Sequence, residues 1–491
     1  MSALRFYFMQ TLQNIINSHH EWLLIYVSGK SFSLQNSEIE LEFTNNKTLF
    51  GFPADQGFQT WRVVNFKSKN AEIILDLTRN FGSEHAKIRL VPRISAHELT
   101  ENLELARLEK ANQIAQIIKE NTPNSKLVRV ELNKENGRFA QIIIENSPKK
   151  QTAVLADVTD KLTPEILLAT AILWLAKLSM RRKNPIDEIW ICGEKKQAKK
   201  LQNLHALLQE NWKNRVLIKE ISFAKETSLK KLPELTFADF WHGKLKEIKA
   251  AETFQISETA RKIIEISPVE IDAVFARNGE TLRFSGLPFA RVRKISDAEK
   301  LWFGAEKSTR ILSENNFNEL SELLENLREF RSFDSPNKRH AFFQIAPEAW
   351  LESILRKNIK LLDANLILSP VYHQFRAERD KIDLLALRKD GRLVIIELKV
   401  QPDREMIFQA ADYWRKIERM RRSGNLQKAG IFGDLEIADA PTICYLVAPT
   451  LSFHRDFDYL KNTISEKIEM HRFNLAENWR KDLKILERIK I

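Results

Sequence analysis

Between residues 22 and 92 the stretches WLLIYVSG, EIELEF, AEIILDLT and AKIRLVP are strand-like, with apolar and polar positions alternating in EIELEF and AKIRLVP. A period of two marks strands with one buried face. From 96 to 120 the apolar positions recur at helical spacing and predict one long helix. Two strand-like runs follow, LVRVEL and RFAQIIIE, around the turn signal NKENG. Then come the run TAVLADV, an apolar helix over 163–180, the strand DEIWICG, a helix near 196–211 and the strand RVLIKEI. Residues 225–255 read as linker and polar helix, 265–312 as a second β-rich stretch, 317–330 as a helix, and the remainder as α/β. The pattern predicts α/β and β modules: a β-rich module over 1–95, an α/β module over 96–225, a linker with a second β-rich module over 226–335, and an α/β domain over 336–491.

The order is that of a duplication. ELTENLELAR at 98–107 matches ELLENLREFR at 322–331 in six of ten positions. WLAKLSMRR at 174–182 shares Trp, Met and two Arg with WRKIERMRR at 414–422, at an offset of 240 residues. LEF at 41–43 is echoed by LRF at 282–284. Repeats of this kind decide the fold.

The chain has 491 residues, too many for one hydrophobic core. It carries 77 Lys and Arg against 65 Asp and Glu, a net charge of +12 that suits a polyanionic partner. The 14 glycines form no dinucleotide or phosphate-loop motif. Two cysteines, Cys192 and Cys444, make neither a disulfide framework nor a zinc knuckle. The longest apolar run, Ile166 to Ala176, is too short to span a bilayer. The expectation is a cytoplasmic protein without a membrane partner.

Candidate chemistry concentrates in KIDLLALRKDGRLVIIELKV, residues 381–400. Two hydrophobic strands flank Lys389-Asp390-Gly391, and Gly391 suits the left-handed position of a three-residue hairpin loop. That loop pairs Arg388 with Arg392, and counting back sets Asp383 opposite Glu397 with Cβ atoms about 4.5–5.5 Å apart. Lys399, two residues on, shares that face. Leu393-Val394-Ile395-Ile396 is apolar on both faces, the mark of a central strand. Paired carboxylates there call for a cation, and oxygen ligands suit Mg²⁺. A two-residue loop would instead set Asp383 opposite Leu398.

At these residues the chain resembles the PD-(D/E)XK nuclease superfamily, with Asp383 as the first acid and Glu397-Leu398-Lys399 as E-x-K. Gln409-Ala410-Ala411-Asp412-Tyr413 is similar to the Q-x-x-x-Y element of the RecB-like branch. The run IDLLAL…GRLVIIELK also resembles the nuclease domain of archaeal and actinobacterial mismatch endonucleases. The likeness covers about residues 345–450. It implies a restriction-endonuclease-like αβββαβ core over 336–491 and a Mg²⁺ site, with Mn²⁺ as a substitute, formed by Asp383, Glu397 and the Leu398 carbonyl. In PEAWLESILRKNIKLL it implies a further acid, Glu352, with Glu348 as runner-up. Lys399 would assist the nucleophile, and Gln409 and Tyr413 would brace the site or touch the substrate.

Carried back by 240 residues, Asp157 falls on Glu397, Thr159 on Lys399, Ala169 and Leu173 on Gln409 and Tyr413, and Ile143 on Asp383. The first half then reads as a degenerate nuclease-like module, or else as an unrelated α/β domain in which Asp157 and Asp160 merely end a strand or cap a helix. Arg415, Lys416, Arg419, Arg421 and Arg422 are candidate phosphate contacts, or simply a solvated helix face. Trp61, Phe289 and Trp302 either stack on bases or fill cores. The expected function is a Mg²⁺-dependent nuclease that hydrolyses DNA phosphodiesters, with an endonuclease favoured and RNA left open. By the resemblance it would serve repair, restriction or phage defence, as a homodimer or with a separately encoded helicase or other repair or defence partner. The alternative is a non-catalytic nucleic-acid-binding or scaffold protein on the same fold.

Overall fold

A computed structural model describes residues 2–491 except 27–30, 45–46, 55–56, 70–71, 94–95, 148–149, 224–226, 243–254, 277–278, 296–297, 305–308 and 370–381. Residues 27–29 of the first expected strand, and 225–226 and 243–254 of the expected linker and polar helix, therefore lie outside the described residues. Contacts divide the chain into two compact units, Met1–Ala106 and Arg107–Ile491.

In the first unit a seven-stranded antiparallel sheet curls around a core built from Trp22, Phe50, Phe52, Ile73 and Leu75. The period-two pattern is realised here: Glu72–Arg79 alternates between buried and half-buried positions.

The second unit holds three sheets. The sequence expected a boundary near 225, but Ser228–Lys231 forms the antiparallel edge strand of the first α/β sheet and Phe237–Trp241 a short helix packed into the core. The strand at 228–231 thus extends the sheet before it, while the helix at 237–241 packs on Trp414 of the second module. The second β-rich segment is a five-stranded antiparallel meander between Ile271 and Ile311.

The two α/β sheets have the same topology among the described residues. In each, the first three strands form an antiparallel meander, the third, fourth and fifth are parallel, and the sixth returns antiparallel. The parallel strands are joined by helical crossovers, as parallel pairing requires. They are Lys150–Asp157, Ile189–Gly193 and Val216–Ser222 in the first sheet, and Leu393–Leu398, Ile443–Pro449 and Met470–Leu475 in the second. Helix Pro164–Ser179 corresponds to helix Met406–Arg422, each crossing over from the third strand to the fourth. One apolar core joins both modules, so they bury surface against each other rather than standing apart.

The five-stranded sheet is fixed to the second module by buried polar contacts. Gly286 has φ +80° and lies against the Ala349 carbonyl, where a Cβ would come within 2.0 Å of that oxygen. Arg331, fully buried, donates to the carbonyls of Phe284, Ser285, Phe342, Ile345 and Ala346. These bonds satisfy its guanidinium, and they pin the start of helix Pro347–Lys357.

Candidate active site

The predicted hairpin register is the one observed. Leu384 pairs with Ile396 and Leu387 with Leu393, the Arg388 N–H donates to the Arg392 carbonyl at 2.8 Å, and Gly391 has φ +79°. The three-residue loop therefore sets Asp383, just ahead of its strand, opposite Glu397. Oδ2 of Asp383 accepts the Leu398 backbone N–H at 2.9 Å. Glu397 is buried in a strand buried throughout. Its Oε1 accepts from Lys399 Nζ at 2.9 Å, and its Oε2 has no hydrogen-bond partner. Lys399 also lies 3.5 Å from Asp403 Oδ2.

A buried carboxylate with one empty oxygen is costly. Burial, then the charge of Asp383, push the Glu397 carboxyl up to about 8, against the pull of Lys399. Glu348 adds to that push. Burial works against the Lys399 ammonium, but Glu397 and the further acids Glu348 and Asp403 outweigh it and hold its pKa above the usual lysine value. The centre is thus a buried acid facing a second acid, with a protonated lysine on one side.

The helix acid expected to complete it is placed otherwise. Glu352 is buried with Oε1 at 3.2 Å from Arg283 and 3.4 Å from Arg356. Arg283 in turn grips Asp272 through two nitrogens. Glu352 is a structural charge that ties the five-stranded sheet to this helix. Glu348, one turn earlier, is the acid whose charge acts on both Glu397 and Lys399.

Gln409 sits in the first turn of helix Met406–Arg422, which packs on the Glu397 strand, and its Oε1 is buried without a hydrogen-bond partner. Tyr413 is half-buried one turn on, with Lys416 Nζ 5.5 Å from its ring.

Most of the basic run on this helix is paired internally. Arg415 and Lys416 are buried on Asp412, and Arg415 stacks over Phe240. Arg421 pairs with Glu418 and Asp439, and Arg422 with Glu418. Arg419 is half-buried, its guanidinium 3.5 Å from the His242 carbonyl. The helix packs against helices of both modules, and most of its charges are paired within the protein. Of these five side chains, that of Arg422 is 46% exposed.

Among the aromatics, Trp61 and Phe289 are core residues. Trp302 is half-buried, pairs across strands with Arg291, has Arg293 5.9 Å from its ring, and lines a cleft of about 400 Å³ with both arginines. Charge alone did not separate this basic face from the buried basic helix. Alternation along Leu287–Ile295, with Arg291 and Arg293 on the face opposite Val292, carries that signal.

The corresponding place in the first module differs. Asp157 ends the third strand, as Glu397 nears the end of its own, but both its oxygens are taken: Oδ1 by the Thr159 N–H and hydroxyl, Oδ2 by the Leu162 N–H. Phe139, not Ile143, stands opposite it, and Ile143 pairs with Ala153. The first hairpin is longer, with pairing continued to Ser147 and Lys150, so the gap-free offset of 240 fails across its turn.

Among the described residues no three Asp, Glu, His or Cys side chains converge closely enough to hold a metal, and no helix is long and apolar enough to cross a membrane. Compared with known proteins, the chain matches no family model, no curated protein and no solved structure.

Proposed function

We propose that Asp383, Glu397 and Lys399 form the reactive centre of a divalent-metal-dependent nuclease of PD-(D/E)XK type acting on DNA. The observation that carries this reading is Glu397: a fully buried carboxyl with one oxygen unpartnered, facing a second acid and touching a lysine. A purely structural glutamate would be satisfied on both oxygens, as Asp157 is.

The donor set fits Mg²⁺. That ion takes one or two carboxylates and keeps several waters, so Asp383, Glu397, the Leu398 carbonyl and, through its charge, Glu348 would hold it. When bound it would polarise a phosphoryl oxygen and raise the acidity of a water. The chain's own residues do the rest. Glu397 would hold the cation in its deprotonated form. Lys399 holds its ammonium beside the reacting phosphate and offsets charge that develops there. Asp403 keeps the Lys399 side chain directed along the strand end. In the hydrolysis, a water oxygen bonds to phosphorus, one P–O ester bond breaks, and the departing oxygen takes a proton.

The Trp302 cleft supports a nucleic-acid partner, because an aromatic ring that shares a cleft with two arginines offers stacking and phosphate contact together. The alternative is a binding or scaffold protein on this fold.

The test is incubation of the purified chain with circular and linear, single- and double-stranded DNA and with RNA, in Mg²⁺, Mn²⁺ or EDTA. Cutting that EDTA abolishes supports the nuclease. Salt-sensitive binding with no cutting under any metal selects the alternative.

A further inference from the structure

The contacts between the two α/β modules pair equivalent elements reciprocally, as contacts across a twofold axis do. The segments that follow equivalent helices, Lys195–His205 and Phe457–Lys461, meet each other. Leu208 bridges Ile464 antiparallel, the Gln209 N–H donates to the Thr463 carbonyl at 2.8 Å, and the Ser465 N–H donates to the Leu207 carbonyl at 2.9 Å. Antiparallel pairing of a segment with its own counterpart is what a dyad produces. The helices repeat the relation. Met406–Arg422 packs on Lys195–His205, and its counterpart Pro164–Ser179 packs on Phe457–Lys461. Thr163 and Glu405, which cap those two long helices, bond to each other.

Only one module carries the reactive set. In the other, Phe139 replaces the first acid, Thr159 stands for the lysine, and Asp157 is saturated by its own loop. Yet that module reaches the site: Glu135, in its first hairpin loop, pairs with Arg404, beside the Asp403 that contacts Lys399.

We infer that this chain is a dimer fused into one polypeptide with a single reactive centre, and that it therefore binds one catalytic divalent cation per chain and nicks one strand of a duplex per encounter. The inference rests on the nuclease reading. The face a second copy would use is filled by the chain's own first half, so a monomer is complete. Each encounter hydrolyses one P–O ester bond with one water, and a second strand waits for a second, independent encounter.

The experiment pairs two readouts on the full chain. Mn²⁺ binding, followed by the loss of the free-ion resonance signal, should saturate at one tight site per chain. That site should vanish in Glu397→Gln and persist in Asp157→Asn and in Asp160→Asn, whose exposed side chain guards against a folding defect in the first variant. Supercoiled plasmid sampled at low conversion should yield nicked circles, with linear product appearing only later and a rate first-order in protein. Two tight Mn²⁺ sites, loss of the site in both first-half variants, or linear product formed together with nicks would overturn the inference. One Mn²⁺ site with no cutting would sink the nuclease reading and keep the single centre. Neither binding nor cutting would overturn both.

Discussion

The backbone N–H of Leu398 donates to Oδ2 of Asp383 at 2.9 Å, tying the acid of one strand to the middle residue of Glu397-Leu398-Lys399 on the next. This bond holds two carboxyls on one face of a buried hairpin and leaves the second oxygen of Glu397 open. Asp383→Asn keeps an acceptor for Leu398 and removes a charge. It should weaken Mn²⁺ binding about tenfold or more, about 1.4 kcal/mol, while the fold persists by circular dichroism. Unchanged affinity would remove Asp383 from the site.

Glu397 also sets a pH dependence. Its carboxyl is raised from 4.5 to about 8 by burial and then by Asp383. A raised acid favours the folded state when protonated. Its contribution is therefore full below about pH 4.5 and is lost as pH climbs through about 8. Glu397→Gln, permanently neutral, should overtake wild type across that window by on the order of 3 kcal/mol. Urea unfolding at pH 5 and pH 8.5 measures it. A gap that does not widen with pH would mean that Glu397 is ionised throughout.

The two acids of helix Pro347–Lys357 should separate cleanly. Glu352→Gln breaks a buried pair with Arg283 and Arg356 and should cost about 3 kcal/mol of stability. Glu348→Gln should cost little stability and weaken divalent-cation binding instead. Thermal unfolding with and without Mn²⁺ distinguishes them, and equal effects of both on the metal-induced shift would return Glu352 to the site.

Trp302→Ala should weaken binding of single-stranded DNA by about 1–3 kcal/mol, read by fluorescence anisotropy, with the salt dependence reduced further in Arg291→Ala. Binding unaltered in both variants would place the nucleic-acid contact elsewhere.

Much of this site was legible in the sequence. The apolar run Leu393–Ile396 and the glycine in Lys389-Asp390-Gly391 determine a register by loop length alone, and so Asp383 faces Glu397. Of the short repeats, 174–182 and 414–422 fall at the ends of equivalent helices, Pro164–Ser179 and Met406–Arg422, whereas LEF and LRF fall in sheets of seven and five strands. What sequence could not resolve were partners brought by distant segments. Glu352 looked available until Arg283, 69 residues earlier, proved to neutralise it. The basic run Arg415–Arg422 looked exposed because nothing local reveals that the first module covers that helix. Phe139 was missed because a hairpin's length changes which residue lies opposite without changing any motif.

Lys399, buried and held 2.9 Å from Glu397, decides the central claim. The measurement is plasmid cleavage in Mg²⁺ by wild type and Lys399→Ala side by side, with equal folding shown by circular dichroism. The account predicts cutting by wild type and a rate at least about a hundredfold lower in the variant, the scale of a lost transition-state contact. Equal cutting by the two proteins would contradict it.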